Sequence, residues 1–579
     1  MVGAFLALAG AAEAAPGDPW VAYVANSVVN REGRPDAVIL RADPATGGLV
    51  EVSRNGAQGN LFRHPYDVAV APGGGSLYVA DMGEFASGPA PLADGRVIRV
   101  DPATGAQALV SGGGELVDPA GVAVAPDGSL LVVENVGLNG NPRDPANRRP
   151  AVIRINPATG VQSVVARGEP MCYPFGIAVD RQGSILVSDF GELVENGVPT
   201  VTCEPTGGGV IRVNPSSGQQ EWLSYNSAAF GSTFLGPVGV AVEPNGTVLV
   251  ANQRSAEAAV TAVNPATRVQ QPVTPNSSPT DSFEQPQRVA VAPDGNLVVS
   301  DYALNTLEGG LVSVVRGTGE ARILRSGPLF NNPLGLAIVV NRAPAAALSF
   351  APRRVAGGRK VSFDASGSTD PEGLPLRYEW DLDGNGSFET GGGTQARTSL
   401  AFASSTTLVP GVRVRDPHGA TAVARSGSAL TVDAIRPVLS RLRASARRLA
   451  ARSRAPGAAG AGGDLRQRIA RAVRLRFRVS ERVRVSVALR RALPGRRVRG
   501  RCASPRKARR GARRCTRWRS VVSLRRRAGP GPGSLRFASR VRNRRLPTGR
   551  YRAVAVAIDG VGNRSKPKWV PLSVVAPVR

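Results

Sequence analysis

Histidine is almost missing from this 579-residue chain: only His64 and His418 occur. No His/Cys cluster stands at zinc-ligand spacing, and the sequence has neither a phosphate-cradling glycine loop nor a nucleophile elbow. Lysine is nearly as rare, confined to Lys360, Lys507, Lys566 and Lys568 among many arginines, a bias expected of a GC-rich genome. No run of about 20 apolar residues is present, so a membrane-spanning helix is not expected. Acidic residues all but vanish near the end. Residues 436–579 hold 43 Lys and Arg against only Asp464, Glu481 and Asp559.

What the chain does have points to β structure. Its 68 glycines and 46 prolines exceed what a helical protein tolerates, since both residues punctuate turns. A hydrophobic fraction of 42% is enough for sizeable cores. The length suggests roughly four domains, or fewer if one is a large β fold. Residues 1–435 carry 30 Lys and Arg against 40 acids, so the formal charge divides into −10 and +40. Such asymmetry implies two parts with different partners. At the N-terminus a short apolar stretch runs into Ala12-Glu13-Ala14, so residues 1–15 read as a signal-peptide-like segment lacking a basic start. Export would suit the four cysteines, whose even number favours disulfides.

One phrase recurs along the first part of the chain. It runs Pro119-Ala-Gly-Val-Ala-Val-Ala-Pro-Asp-Gly-Ser-Leu-Leu-Val-Val-Glu-Asn135, with near-copies beginning at Pro65, Pro174, Pro237 and Pro286. A second phrase, Val152-Ile-Arg-Ile-Asn-Pro-Ala-Thr-Gly160, returns at Val97, Val210 and, degraded, Val260. Gly-Val-Ala-Val is a strand of small residues, Pro-Asp-Gly a turn, Leu-Leu-Val-Val a second strand and Val-Ile-Arg-Ile a third. Asn-Pro-Ala-Thr-Gly then turns the chain into a fourth. Four strands per unit at this period make a propeller blade. Pro333–Val340 is a first strand with nothing after it. Trp20–Asn26 begins a unit that lacks its first strand. Together they predict one composite blade, closing a ring of six and leaving no sheet edge exposed. The phrases resemble NHL repeats and the related gluconolactonase and streptogramin-lyase propellers over residues 19–341.

From Arg342 the pattern changes. Val361-Ser-Phe-Asp-Ala-Ser-Gly-Ser-Thr-Asp-Pro-Glu-Gly373, then Tyr378-Glu-Trp-Asp381, resembles a PKD domain, an Ig-like sandwich, over residues 342–434. Asp381, Asp383 and Asn385 are spaced like the start of a calcium loop, although position twelve is Gly392 rather than Glu. The same residues suit an Asx-rich hairpin turn, so both readings stand at this point. After a low-complexity stretch at 455–464, Val473-Arg-Leu-Arg-Phe-Arg-Val479 alternates apolar and basic residues, a strand with one buried and one cationic face. Tyr551 falls where a tyrosine corner would lie. Residues 435–579 are therefore expected to form an Arg-rich Ig-like sandwich. The overall expectation is all-β: a six-bladed β-propeller closed by both its ends, followed by two Ig-like β-sandwich domains.

The second strands end in Asn26, Asp81, Glu134, Asp189, Asn252 and Asp301, which propeller symmetry gathers on one face. With His64 in a neighbouring loop, they are the candidate ligand-binding residues. The resemblance to gluconolactonase-type propellers implies a divalent metal held by Glu, Asn and Asp in the channel; the loop position of His64, near the central opening, suits a general base. The alternative is that each acid or amide caps a turn and that His64 is a loop histidine. The family's early Glu-Gly-Pro metal motif has no counterpart here. Loops after Asp81, Glu134 and Asp189 are long, and those after Asn252 and Asp301 short, which suggests an asymmetric groove for a polymer or protein ligand. Cys172–Cys203 and Cys502–Cys515 are the expected disulfides. Arg474, Arg476 and Arg478 on the alternating strand, with Arg509, Arg510, Arg513 and Arg514 inside the second disulfide loop, are expected to bind an anionic cell-wall polymer or polysaccharide. The leading expectation is a monomeric secreted or wall-associated binding protein with no cofactor beyond a divalent cation such as calcium. The alternative is a propeller lactonase or lyase with accessory modules.

Overall fold

The computed structural model describes residues 18–576 apart from 28–36, 84–93, 136–149, 192, 196–197, 202–204, 206, 255–258, 275–282, 305–307, 331, 452–468, 499, 505–510 and 542. The proposed leader at 1–15 therefore lies outside the described residues. Every regular element within them is a strand.

Six four-stranded antiparallel sheets form the first part. Blade 1 is the composite one. Pro333–Val340 pairs with Trp20–Asn26, with Val21 opposite Val339 and Ala25 opposite Gly335. Val38–Asp43 and Gly48–Arg54 complete it. Blades 2 to 6 begin at Pro65–Val70, Pro119–Val124, Pro174–Val179, Pro237–Val242 and Pro286–Val291, each adding three strands outward in sequence order. The six first strands touch one another in cyclic order, closing the ring. Alternate residues of neighbouring blades fill the space between sheets: Tyr23, Ile39, Leu77, Val79 and Ile98 form one such layer and are fully buried. In the fourth-strand turns, Asp43, Asp101, Asn156, Asn214 and Asn264 each accept backbone N–H groups two and three residues ahead. That is the physical reason for Asp/Asn-Pro-Ala-Thr-Gly.

Two sandwiches follow. In the first, Phe363, Tyr378, Trp380, Val412, Val414 and Leu430 form the core between the sheets. In the second, Leu439–Ala444, Ala472–Val479 and Gly531–Ala538 face a larger sheet built on Val483–Val498 and Gly549–Ile558. Val473, Leu475, Phe477 and Val479 point inward, so the strict alternation puts its arginines outward. The Tyr551 hydroxyl donates to Pro547 O at 2.7 Å, the bond of a tyrosine corner. The sequence had not suggested the length of the Val483–Val498 and Arg514–Ala528 strands. They run as one antiparallel ribbon from Val483 opposite Ala528 to Arg496 opposite Arg514. Near its tip Cys502 and Cys515 are joined, with Cα atoms 6.0 Å apart. Cys172 is also disulfide-bonded. Its expected partner, Cys203, lies outside the described residues.

The first sandwich docks against the propeller. The Tyr23 hydroxyl lies 2.7 Å from His418 Nδ1, and Arg41 Nη1 donates to Pro417 O at 3.4 Å. Arg342 joins Glu372 at 3.0 Å and pairs with Asp18 through both its Nε and Nη2. Gly73 and Gly74 turn with φ of +79° and +71°, and a Cβ on Gly74 would stand 2.3 Å from His418 Nε2, so a side chain there would part the two domains.

Candidate functional site

The six residues at the ends of the second strands are wholly buried. Each turns back toward the loop that leads into the first strand of its own blade. Asp81 Oδ2 accepts the N–H of Arg63 at 2.7 Å and of His64 at 3.1 Å, and its Oδ1 accepts Gly83 N–H at 2.9 Å. Glu134 receives Val117 and Asp118 at 2.9 and 2.7 Å. Asp189 receives Cys172, Tyr173 and Gly191, Asp301 receives Glu284 and Gln285, Asn252 receives Leu235 and Asn26 receives Asn332. Burial holds the Asp189 carboxyl up at about 6 and raises Asp81 as well, against the pull of these amide donors. The arrangement is a set of backbone clamps. Among the described residues these carboxylates do not come together as a metal-ligand cluster. The capping alternative describes their geometry, with one change: a main partner is the lead-in loop some 17 residues upstream, with the following turn also bonded at Asp81 and Asp189.

His64 is buried rather than displayed on a loop surface, at 7% exposure. Its Nδ1 contacts Ser27 Oγ, and its ring packs edge-on to Tyr66. Burial pushes its pKa down to about 4, so the ring is neutral at ordinary pH.

The centre of the propeller holds a pair that sequence reasoning missed. Arg288, in the first strand of blade 6, is 5% exposed and reaches across the axis. Its guanidinium donates to Ala120 O of blade 3 at 2.7 Å, Phe175 O of blade 4 at 3.3 Å and Val238 O of blade 5 at 3.2 Å. Its Nε lies 3.3 Å from Asp67 Oδ1 of blade 2. Burial raises the Asp67 carboxyl, and Arg288 opposes that rise. The third position of each first strand reads Asp67, Gly121, Gly176, Gly239, Arg288 and Gly335. The glycines are required by crowding at the axis: a Cβ on Gly121 would meet Phe175 O at 2.5 Å, and one on Gly335 would meet Asp67 Cα at 2.6 Å. Two blades depart from glycine, and their side chains meet at the axis. That departure was the available signal.

Two of the three calcium-loop candidates, Asp381 and Asp383, gather with a further acid, Glu389: oxygens of these three lie within 4.8 Å of one another. The loop also bonds itself. Asp381 Oδ2 accepts from Gly386 N and Arg425 Nη1, both at 3.0 Å. The Asn385 amide donates to Asp383 at 3.1 Å and Glu389 at 2.8 Å, which turns its nitrogen, not its oxygen, toward the acids. This is the bonding of an Asx-rich turn.

In the second sandwich, Arg474, Arg476 and Arg478 are exposed side by side on one strand face. Arg443 stands opposite Arg476, and Arg536 opposite Arg474. On the ribbon Arg484 faces Arg527, and Arg491 faces Arg519. Arg513 and Arg514 are exposed near its tip, while Arg509 and Arg510 lie outside the described residues. Among the described residues, no cation beyond Arg425 forms an ion pair. Arg552 is stacked between Trp518 and Trp569, at 4.2 and 4.0 Å from their ring centres, and Trp569 remains half exposed. At the junction of the two sandwiches a cleft of about 710 Å³ is lined by Arg359, Arg436, Arg564 and Lys566.

A PKD domain family model matches residues 341–431. No curated protein matches the chain. Among solved structures, a nidogen/laminin complex aligns at 12% identity and TM-score 0.38, covering 55% of this chain and 98% of that one. A protein from Bacteroides uniformis, provisionally described as a 6-phosphogluconolactonase, aligns at 14% identity and TM-score 0.33, covering 72% of this chain and 97% of that one. A protein from Lactobacillus plantarum aligns at 12% identity and TM-score 0.35, covering 56% and 99%.

Proposed function

We propose that this is a secreted or cell-wall-associated binding protein whose second sandwich anchors it to an anionic polymer, while the propeller loops recognise a second ligand. The observation that carries the anchoring role is the face of Arg443, Arg474, Arg476, Arg478 and Arg536, whose guanidiniums lie opposite one another without acidic partners among the described residues. Like charges directly across strands destabilise a sheet, so the domain tolerates a cost that a polyanion would remove. Arginine binds phosphate and carboxylate in bidentate fashion, and an array of them gives avidity without sequence reading. The ligand class is a wall teichoic acid, an acidic polysaccharide or extracellular DNA. A disulfide at the ribbon tip and a PKD domain are consistent with an extracellular setting.

The propeller supports recognition rather than catalysis. The clamps fasten its lead-in loops to the ends of the second strands, so those loops are carried on a rigid frame. The lactonase or lyase reading asks for a divalent cation in the channel, where Arg288 already supplies a buried positive charge. Co-sedimentation of the full chain with cell walls across a salt series tests the anchoring role. Retention at low salt that is released as salt rises is expected. Absence of retention at low salt, or retention indifferent to salt, would refute it.

A further inference from the structure

Of the three acids beyond residue 435, the two that are described, Glu481 and Asp559, lie together. Glu481 occupies the turn between Ala472–Val479 and Val483–Val498, and Asp559 follows directly on Gly549–Ile558. Both meet Asp433, the last residue of Leu430–Asp433 in the preceding sandwich. Carboxylate oxygens of the three lie within 4.8 Å of one another. In so basic a domain each acid would be expected to sit beside a guanidinium, yet among the described residues none of them forms an ion pair.

The state of Asp559 is a separate observation. Its Oδ1 accepts the N–H groups of Val561, Gly562 and Asn563 at 2.9, 2.7 and 2.9 Å. Its Oδ2 is buried and has no hydrogen-bond partner. Such an orphan carboxylate oxygen is costly unless something positive meets it. Burial, then the charges of Asp559 and Asp433, push the Glu481 carboxyl up, as expected where negative charges crowd without a counterion.

We propose that Asp433, Glu481 and Asp559 form a divalent-cation site, suited to calcium, that ties the two sandwiches together. The donor set is all oxygen and anionic, the chemistry of a hard cation, with water free to complete the shell. One ligand comes from the first sandwich and two from the second, so the full set exists only when the domains are docked. Asn563 already bridges the same junction, donating to Asp433 O at 2.6 Å. The surrounding arginines weaken attraction for a cation, which places the affinity in the range of extracellular modules, roughly 10⁻⁴ to 10⁻³ M.

The test uses the full chain freed of metal with a chelator, and calcium chloride as the probe. Calcium at about one hundred times the dissociation constant is expected to raise the melting transition of the sandwiches by roughly 5 °C. Glu481→Gln should abolish that rise. Without calcium the same variant should melt no lower than the parent, because it relieves repulsion while keeping the side chain's shape, and this separates loss of the site from misfolding. A D383N/E389Q variant, which disables the other acidic loop, should keep the full response. A parent with no calcium response, a Glu481→Gln variant that responds like the parent, or a response lost only in D383N/E389Q would each overturn the proposal. A metal-indifferent parent that gains stability as pH falls from 7 to 5 would assign the cluster to a shared proton instead.

Discussion

Arginine does opposite work in the two halves of this molecule. In the propeller several arginines are internal or paired, although Arg99, Arg322 and Arg325 stay exposed: Arg288 crosses the axis to Asp67, Arg167 meets Glu115, and Arg316 holds Glu243 at 2.7 Å. In the second sandwich it stands in rows facing solvent, with Arg443 opposite Arg476 and Arg474 opposite Arg536. A GC-rich genome would account for arginine over lysine in both regions, but not for this division. A residue that can stabilise a fold by pairing has been left unpaired where the fold gains nothing from it. On the function proposed above, the contrast separates charge that serves structure from charge kept for a partner.

The largest effect is expected from breaking the internal use. Arg288→Met should destabilise the propeller by about 3–5 kcal/mol, since it strands the buried Asp67 carboxylate and leaves three backbone carbonyls without their donor. Denaturant titration of the full chain would show it. A double variant, Arg288→Met with Asp67→Leu, should recover much of the loss if the uncompensated charge is the cause. Next comes a clamp. Asp81→Ala removes the acceptor of three buried N–H groups and should cost about 2 kcal/mol in the same assay, with faster hydrogen exchange at Arg63 and His64.

A smaller effect concerns the docking of the first sandwich. Burial and the neighbouring Arg41 hold His418 down at about 4, below the ordinary value near 6.5. The buried Tyr23 hydroxyl keeps its proton, since burial raises its pKa, and shares a hydrogen bond with a neutral His418 ring. The folded state therefore binds fewer protons here than the unfolded one between pH 6.5 and 4. The contribution of His418 is present above that window and declines as pH falls through it. Asp416 beside it, raised to about 6 by burial, acts in the reverse sense, losing stability as pH rises through 6. His418→Gln should flatten the acid-side decline by on the order of 1 kcal/mol, read from melting temperatures between pH 7 and 4. The smallest change in stability is expected from the outward arginines. Replacing Arg474, Arg476 and Arg478 by Gln should leave the second sandwich as stable as before or stabilise it by a few tenths of a kcal/mol, because cross-strand repulsion goes.

Blades were legible because their signals are local. Pro-Asp-Gly turns and Asn-Pro-Ala-Thr-Gly hairpins carry their hydrogen-bond partners within three residues. The composite blade was legible because two fragments each lacked what the other had. The clamps were half legible: strand ends at Asp81 or Glu134 were visible, but an acid at a strand end can face a ligand or fold back onto backbone, and only the path of the lead-in loop decides. Arg288 and Asp67 were not read because they lie 221 positions apart and meet only through ring closure. Aligned copies of Pro-x-Gly would have exposed them as the two exceptions. The long ribbon was hidden by Pro494 and Gly495, which interrupt the alternation; at Gly495 a Cβ would lie 2.5 Å from Cys502 Sγ, so the disulfide itself excludes a side chain there. The junction acids gave no signal at all, being single residues at three separate points along the chain.

The division of arginine between the two halves is tested most directly by the salt dependence of binding between the full chain and a poly(glycerol phosphate). Plotted as log K against log salt, the parent should show a steep negative slope from counterion release. The R474Q/R476Q/R478Q variant, as stable as the parent, should bind more weakly, with a slope shallower by up to about three units. Binding that ignores salt, or a variant whose slope and affinity match the parent's, would contradict the claim that these arginines are held for an anionic partner.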